Sequence, residues 1–251
     1  MAHILEVKNL CKFFEGVKAV NEVNIKVKKG IIMGIIGPNG AGKTTLFNVL
    51  TGTLEPTRGK IIFDDNNITE LPPQKITRLG IARTFQNIKL FDNMTVLENV
   101  KIGLHTQTET SFWDAVLQNK QLKEDENKAD IVGKKLLERV NLINKKNVFS
   151  QNLSYGDKRR LEIARALAVD PQILLVDEPT AGMNARETEE IIKLLKKLNE
   201  EGITIVVIEH DMSVIMNICD EIAVLNNGKK ISDGNPDTIK NDPKVIEAYL
   251  G

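Results

Sequence analysis

The chain has 251 residues, 41% of them apolar, with 34 basic against 34 acidic side chains. That length holds one large domain, or one domain carrying a subdomain, with ample material for a core. The balanced charge excludes the basic excess of a nucleic-acid binder and leaves no long tail of one sign. Cys11 and Cys219 stand far apart with no metal-ligand spacing, which reads as a reduced, cytosolic protein. Glu6 puts a charge where a signal peptide needs apolar residues. Nowhere do 18 apolar residues follow one another, so work at a membrane would require docking to another subunit.

In chain order, Ile4–Val7 and Asn24–Lys28 alternate apolar and polar residues as half-buried strands do. Val17–Val20 between them is too short and mixed to assign. A turn at Lys29-Gly30 leads into Ile31–Ile36, an apolar run of strand length, and Thr44–Leu50 shows helical spacing. Between run and helix stands Gly37-Pro38-Asn39-Gly40-Ala41-Gly42-Lys43-Thr44, followed by Thr45. The pattern G-x-x-x-x-G-K-[ST] in a strand-to-helix context builds a phosphate pocket: glycines turn backbone N–H groups inward, and the helix start adds its own. Lys43 then reaches the β- and γ-phosphates of a nucleotide, and the Thr44 hydroxyl can ligate Mg²⁺. Chance alone produces the pattern in roughly one chain in a hundred of this length, before context is counted.

After the first helix, Gly59–Asp64 and a turn at Asp65-Asn66-Asn67 read as strand and loop. From about Leu90 to Ser150 the pattern becomes helical, with Val132, Leu136, Leu137, Val140 and Ile143 at helical spacing and Lys123–Glu126 as a solvated charged run. Apolar strands return at Ile173–Val176 and Ile203–Ile208. Between them an amphipathic helix bearing Ile191, Ile192, Leu194, Leu195 and Leu198 stops at Gly202. Alternating helices and buried strands predict an α/β fold with a mostly parallel sheet, an N-terminal antiparallel β part and a helical insertion.

Three further places can carry chemistry. Asp177 and Glu178 end an apolar strand, where a carboxylate beside a phosphate loop can hold Mg²⁺ and its neighbour can polarise water; alone, the pair would read as a helix or strand cap. His210 ends another strand, a position where a lone histidine is usually structural. Leu153-Ser154-Tyr155-Gly156-Asp157 precedes a helical run from Lys158 to Ala168, so Ser154 and Gly156 mark either a plain N-cap or a second anion site.

With these motifs in this order, nearly the whole chain resembles the ATP-binding subunits of ABC transporters: P-loop at 37–44, Q-loop glutamine Gln86, signature at 153–157, Walker B acids at 177–178, D-loop around 181–184, switch histidine His210. The resemblance implies one ATPase domain over 1–251, with a helical signature subdomain at about 90–160 inserted in a P-loop core. It implies ATP and Mg²⁺ as cofactors, Lys43, Glu178, His210 and Gln86 as the catalytic group, and Thr44, Gln86 and Asp177 around the metal. Phe14 would stack on adenine, with Phe13 as its neighbour in competition, and Ser154, Tyr155, Gly156 and Asp157 would contact ATP bound to a second subunit. Two motifs depart from the family's habit. Tyr155 and Asp157 replace the first glycine and the glutamine of Leu-Ser-Gly-Gly-Gln, and Asn184 replaces the D-loop aspartate.

Within the family, Arg83–Asn87, Met94–Val100, the Tyr155 signature, Ile208–Met212 and the ending Ala248–Gly251 are similar to the ATPase subunits of branched-chain amino acid importers. Lipopolysaccharide-export ATPases share some of these. The implied protein is a peripheral subunit at the cytoplasmic face of the plasma membrane. It would dimerise with itself or a close relative, dock on transmembrane permeases and serve a solute-binding protein indirectly, without binding nucleic acid. A soluble ABC ATPase working on DNA or ribosomes would need coiled-coil arms or two ATPase halves, and no heptad run is present. Asn127-Lys128-Ala129-Asp130 matches the guanine-reading N-K-x-D, but it lies in the charged helical region rather than at a strand end, which disfavours a GTPase.

Overall fold

A computed structural model of the chain describes residues 2–105 and 119–250. Two sheets organise it. A four-stranded antiparallel sheet has the order β2-β1-β4-β5, with β1 at His3–Phe14, β2 at Val17–Lys28, β4 at Arg58–Phe63 and β5 at Asn66–Asn67. A six-stranded sheet has the order β10-β9-β3-β8-β7-β6. Its members are β3 at Ile32–Ile36, β6 at Ile81–Arg83, β7 at Ile173–Asp177, β8 at Thr204–Ile208, β9 at Glu221–Asn226 and β10 at Lys229–Gly234. Strands β6, β7, β8, β3 and β9 run parallel, and β10 is antiparallel to β9.

The central strands read as unbroken apolar runs because both faces are covered. Ile32 and Ile36 of β3 enter one core while Met33 and Ile35 enter the other, and β7 and β8 divide their residues the same way. One core lies between the parallel sheet and the helices, the other between the two sheets around the first helix, α1 at Lys43–Leu50. At about 1.5–3 kcal/mol for each fully buried Leu, Ile or Val, this double coverage is the main force holding β3 and its loop in place.

The expected elements are present, several of them longer than the local pattern suggests, but the turn expected at Asp65-Asn66-Asn67 falls at Asp64-Asp65, and Asn66–Asn67 pair with β4 as β5. Val17–Val20, unassignable from sequence, opens the twelve-residue β2. Its alternation is hidden by register shifts against β1, where Asn9 and Glu22 take left-handed backbone conformations (φ 47° and 56°). A short helix not anticipated, α2 at Pro73–Arg78, precedes β6. The helical region contains α3 at Val96–His105 and α4 at Asn119–Arg139. Leu136, Leu137 and Val140 are buried there as the spacing predicts, whereas Val132 is exposed. Met94–Val100 has a local explanation: Thr95 and Glu98 form a capping box, and the buried Asn99 side chain bonds the backbone of Phe91, Met94 and Thr95.

Helix α5 runs from Tyr155 to Leu167, so it starts three residues before the expected Lys158. Helix α6, Ala185–Glu200, carries the anticipated buried stripe from Ile191 to Leu198, and α7, Met212–Ile218, follows β8. Two short helices, α8 at Pro236–Lys240 and α9 at Pro243–Leu250, complete the chain. Among the described residues no helix is long and apolar enough to cross a membrane.

A candidate nucleotide site at the ends of the parallel strands

Parallel strands deliver the residues that follow them to one edge of the sheet, which is where open α/β sheets bind ligands. Here β3 delivers Gly37–Lys43, β6 delivers Gln86, β7 delivers Asp177 and Glu178, and β8 delivers Glu209 and His210. A cleft of about 540 Å³ lies at this edge, lined by Asn39–Thr45 of the loop, by Gln86 and Glu178 from the opposite side, and by Val17–Ala19 of β2.

The loop's shape demands glycine twice. Gly42, at φ 100°, caps α1 without a side chain, and a Cβ there would lie 2.1 Å from the Ala19 carbonyl oxygen. Gly37, at φ 151°, would place a Cβ 2.1 Å from the Leu225 carbonyl oxygen. With no side-chain cap, the first N–H groups of α1 are left for an external anion. Lys43 Nζ donates to the carbonyls of Gly37 (2.6 Å) and Pro38 (3.0 Å). Burial pushes its pKa down, against the pull of Glu178 and Asp177. Burial pushes the pKa of the Tyr249 phenol, from the C-terminal motif, up, and the backbone of Gly37 opposes the shift.

Across the cleft, Gln86 Nε2 donates to Glu178 Oε2 at 2.9 Å, and His210 Nδ1 stands 4.0 Å from the same oxygen. Glu178 holds a left-handed backbone (φ 45°), with its N–H donating to Ile208 O at 2.9 Å. A non-glycine residue in that region is strained, and such strain gathers at functional sites. Asp177 is buried; its Oδ2 accepts from Arg83 Nη2 at 2.8 Å while its Oδ1 has no partner. Burial pushes the Asp177 pKa up, and Arg83 opposes the shift. A hard cation reached through a carboxylate oxygen and a threonine hydroxyl fits this unfilled Oδ1 and the Thr44 hydroxyl in the cleft.

The signature residues lie outside this cleft. Ser154 N-caps α5, its Oγ accepting the Asp157 N–H at 3.2 Å, and Ser154 and Tyr155 are exposed. Gly156 is buried, with Glu187 Oε1 3.2 Å from where a Cβ would stand. The buried Asp157 carboxylate pairs with Lys145 and Arg160 of its own chain. Asn184 caps α6 in a capping box with Glu187. Phe14 is exposed, beside the cleft's β2 wall but not lining it, with Lys12 Nζ over its ring at 5.1 Å; Phe13 is flanked by Lys18 and Arg58.

Among the described residues, the side chains of Arg83, Glu209 and Arg159 are buried beside the site and escape sequence reading. Arg83 joins Asp177 to Asn48 of α1 (2.6 Å) and packs against the Phe47 and Phe85 rings. Glu209 is fully buried and accepts from Thr180 N–H (2.9 Å) and Thr180 Oγ1 (2.6 Å), tying the segment after β8 to the segment after Glu178. Arg159 is fully buried beneath the Q-loop. The available signal was charge inside otherwise ordinary segments, namely Arg83 closing the short strand β6 and Glu209 directly before the histidine.

Comparison with known proteins gives the family. Residues 20–181 match the family described as ABC transporter, and residues 229–251 match the description branched-chain amino acid ATP-binding cassette transporter. The high-affinity branched-chain amino acid transport ATP-binding protein LivG of Escherichia coli K12 is 44% identical over 249 residues, covering 99% of this chain and 98% of that one. A nucleotide-free ATP-binding cassette from an ABC transporter superposes with TM-score 0.87 at 36% identity over the full length of both chains. A dimeric cassette in a post-hydrolysis state bound to ADP and Pi matches with TM-score 0.77 at 29% identity over 92% of this chain and 98% of that one. The chain belongs to the ABC transporter ATP-binding family, whose cassettes are nucleotide-binding ATPases that power transport.

Proposed function

We propose that this chain is the ATP-hydrolysing subunit of an importer for branched-chain amino acids, acting as one domain over 1–251 in which about 90–160 forms the helical signature part. The observation that carries the hydrolytic reading is the meeting of Gln86, Glu178 and His210 at one carboxylate oxygen facing the P-loop. In this reading Gly37–Thr45 and Lys43 bind the phosphates of ATP and Phe14 stacks on adenine. Glu178 accepts the proton of the attacking water, Gln86 positions that water, and His210 contacts the γ-phosphate. Thr44, Asp177 and Gln86 would hold Mg²⁺, which would supply positive charge against the phosphates.

The separation of Ser154 from the cleft supports a second half of the site supplied by another subunit, identical or closely related. Ser154, Tyr155 and Gly156 would meet the partner's ATP, and Asp157, held by Lys145 and Arg160, would brace the helix start. ATP then favours the closed pair through contacts that hydrolysis removes. A cleft of about 510 Å³ beside the Q-loop, lined by Phe85, Leu90, Phe91, Ile76 and Val169, suits a transmembrane permease, with the exposed Met94 nearby. The subunit would sit peripherally at the cytoplasmic face of the plasma membrane, with a solute-binding protein supplying cargo. The cargo assignment follows the 44% identity with LivG.

Restoring leucine uptake in a bacterium lacking its own branched-chain importer ATPase, given this chain and its permeases, is the expected result. Uptake that fails while ATP hydrolysis proceeds would set the cargo assignment aside. An ATPase rate per subunit that stays constant on dilution to monomer would overturn the two-subunit site.

A further inference from the structure

Helix α5 does more than present the signature residues. One turn beyond Tyr155 its Arg159 is completely buried, and a second turn begins with Glu162, also buried. Arg159 Nη1 donates to the carbonyl of Phe85 at 2.7 Å and to Glu162 Oε2 at 2.8 Å, and Nη2 donates to the carbonyl of Gln86 at 3.1 Å. Longer contacts from Nη2 reach the Glu178 carbonyl (3.4 Å) and the Tyr155 hydroxyl (3.5 Å). Glu162 Oε1 accepts the Phe85 N–H at 3.0 Å. One N–H and two carbonyls of the Phe85–Gln86 segment, which belongs to no strand or helix, therefore find their partners on one face of α5.

A buried arginine–carboxylate pair contributes little net stability, because desolvation offsets most of the attraction. What it supplies here is direction. The planar guanidinium fork holds two consecutive carbonyls from separate nitrogens in one rigid plane, whereas an ammonium would hold them only through a single rotatable centre. The side chain held by that backbone is Gln86, whose Nε2 reaches Glu178 at 2.9 Å.

We propose that Arg159 and Glu162 are positioning residues for ATP hydrolysis: gripping the Phe85–Gln86 backbone from the signature helix, they hold Gln86 on Glu178. The role rests on the reading of Gln86 and Glu178 given above. It also makes the orientation of α5 a determinant of where Gln86 stands, so that engaging the signature helix start and aligning the water-positioning side chain become one event.

The test is the paired variant Arg159→Met/Glu162→Leu in the full chain, which removes both charges and leaves no unpaired ion in the core. Thermal midpoint, kcat and KM for ATP are measured. The expected result is a midpoint near that of the parent, kcat lowered about tenfold to a hundredfold, the range a misplaced group costs, and an unchanged KM. Adding Gln86→Ala to the paired variant should then cost little more, whereas independent sites would multiply their penalties to within about twofold. A stable paired variant with the parent's kcat, or multiplying penalties, overturns the proposal. If the paired variant does not fold, Arg159→Lys serves: it keeps the charge beside Glu162 but loses the fork, and a normal kcat in it overturns the proposal equally. Glu178→Gln separates the two levels. Hydrolysis that survives Glu178→Gln removes the reading of the site itself, while hydrolysis lost there but intact in the paired variant removes only the positioning role.

Discussion

Helix α1 begins at the P-loop and helix α5 at the signature, proposed above as a second phosphate contact, and they begin differently. Gly42 caps α1 with no side chain, in a left-handed conformation that only glycine adopts without strain. Ser154 caps α5 with its own hydroxyl, which accepts the Asp157 N–H. A good side-chain cap is worth roughly 1 kcal/mol, so α1 forgoes a stabilisation that α5 keeps. The first helix start is built by backbone for an external anion and has no internal substitute. The second is satisfied within its own chain, and its hydroxyl must be shared for any contact with a partner's nucleotide. On the proposed two-subunit reading, binding ATP is thus a property of one subunit, whereas completing the site is conditional on assembly.

Substitutions can break or sharpen this contrast. The largest effect is expected for Glu178→Gln on the α1 side: hydrolysis should fall about 10²–10⁴-fold, the usual contribution of a general base. An ATP-dependent dimer should then accumulate in size-exclusion chromatography. A variant that stays monomeric with ATP and hydrolyses normally would dissolve the division between the two halves. Next comes Arg83→Met, which leaves Asp177 buried without its cation and should cost about 3–5 kcal/mol in urea unfolding. Its pH dependence has a defined sign. Burial already raises the Asp177 pKa in the folded state, and losing Arg83 raises it further. The unfolded chain then releases its proton at a lower pH than the folded one, so the added destabilisation grows as pH rises from acid to neutral. Unfolding at pH 5 and pH 7.5 checks this, and an equal penalty at both would refute it.

A smaller loss is expected for Phe14→Ala, about 1–3 kcal/mol of ATP affinity if the ring stacks on adenine, against little for Phe13→Ala; equilibrium binding of the two variants decides between the phenylalanines. Smallest is Ser154→Asp, which should leave the melting temperature nearly unchanged because aspartate caps as well as serine. It should nevertheless reduce ATPase rate about tenfold, equal to roughly 1.4 kcal/mol, by setting a carboxylate against the γ-phosphate. Unchanged hydrolysis would mean that Ser154 is a cap and nothing more.

The residues from Gly37 to Thr45, the Asp177-Glu178 pair and the central strands were legible because each is encoded over a few adjacent positions. Strands covered on both faces write themselves as apolar runs, and the P-loop writes itself as glycines at fixed spacing. The twelve-residue strands β1 and β2 were only half legible, since their bulges shift the alternation out of phase. The buried cations Arg83 and Arg159 were not legible at all. Arg83 and Asp177 are 94 residues apart, and Arg159 meets Phe85 across 74. Nothing local distinguishes such a charge from one on a solvated face. Asp157, expected to face a partner, is turned inward for the same reason: its cation, Lys145, comes from the preceding loop.

The contacts of Gly37 and Gly42 reach beyond the nucleotide. One abuts a carbonyl of β9 in the parallel sheet and the other a carbonyl of β2 in the antiparallel sheet, so the loop is wedged into the seam between the two halves of the fold. In a saturation library scored only for soluble abundance, with no demand for ATP turnover, positions 37 and 42 should reject every side chain. The exposed Asn39, in the same motif, should accept many. Two of the motif's glycines are thereby joinery as well as chemistry, and selection would hold them even in a descendant that had stopped hydrolysing anything.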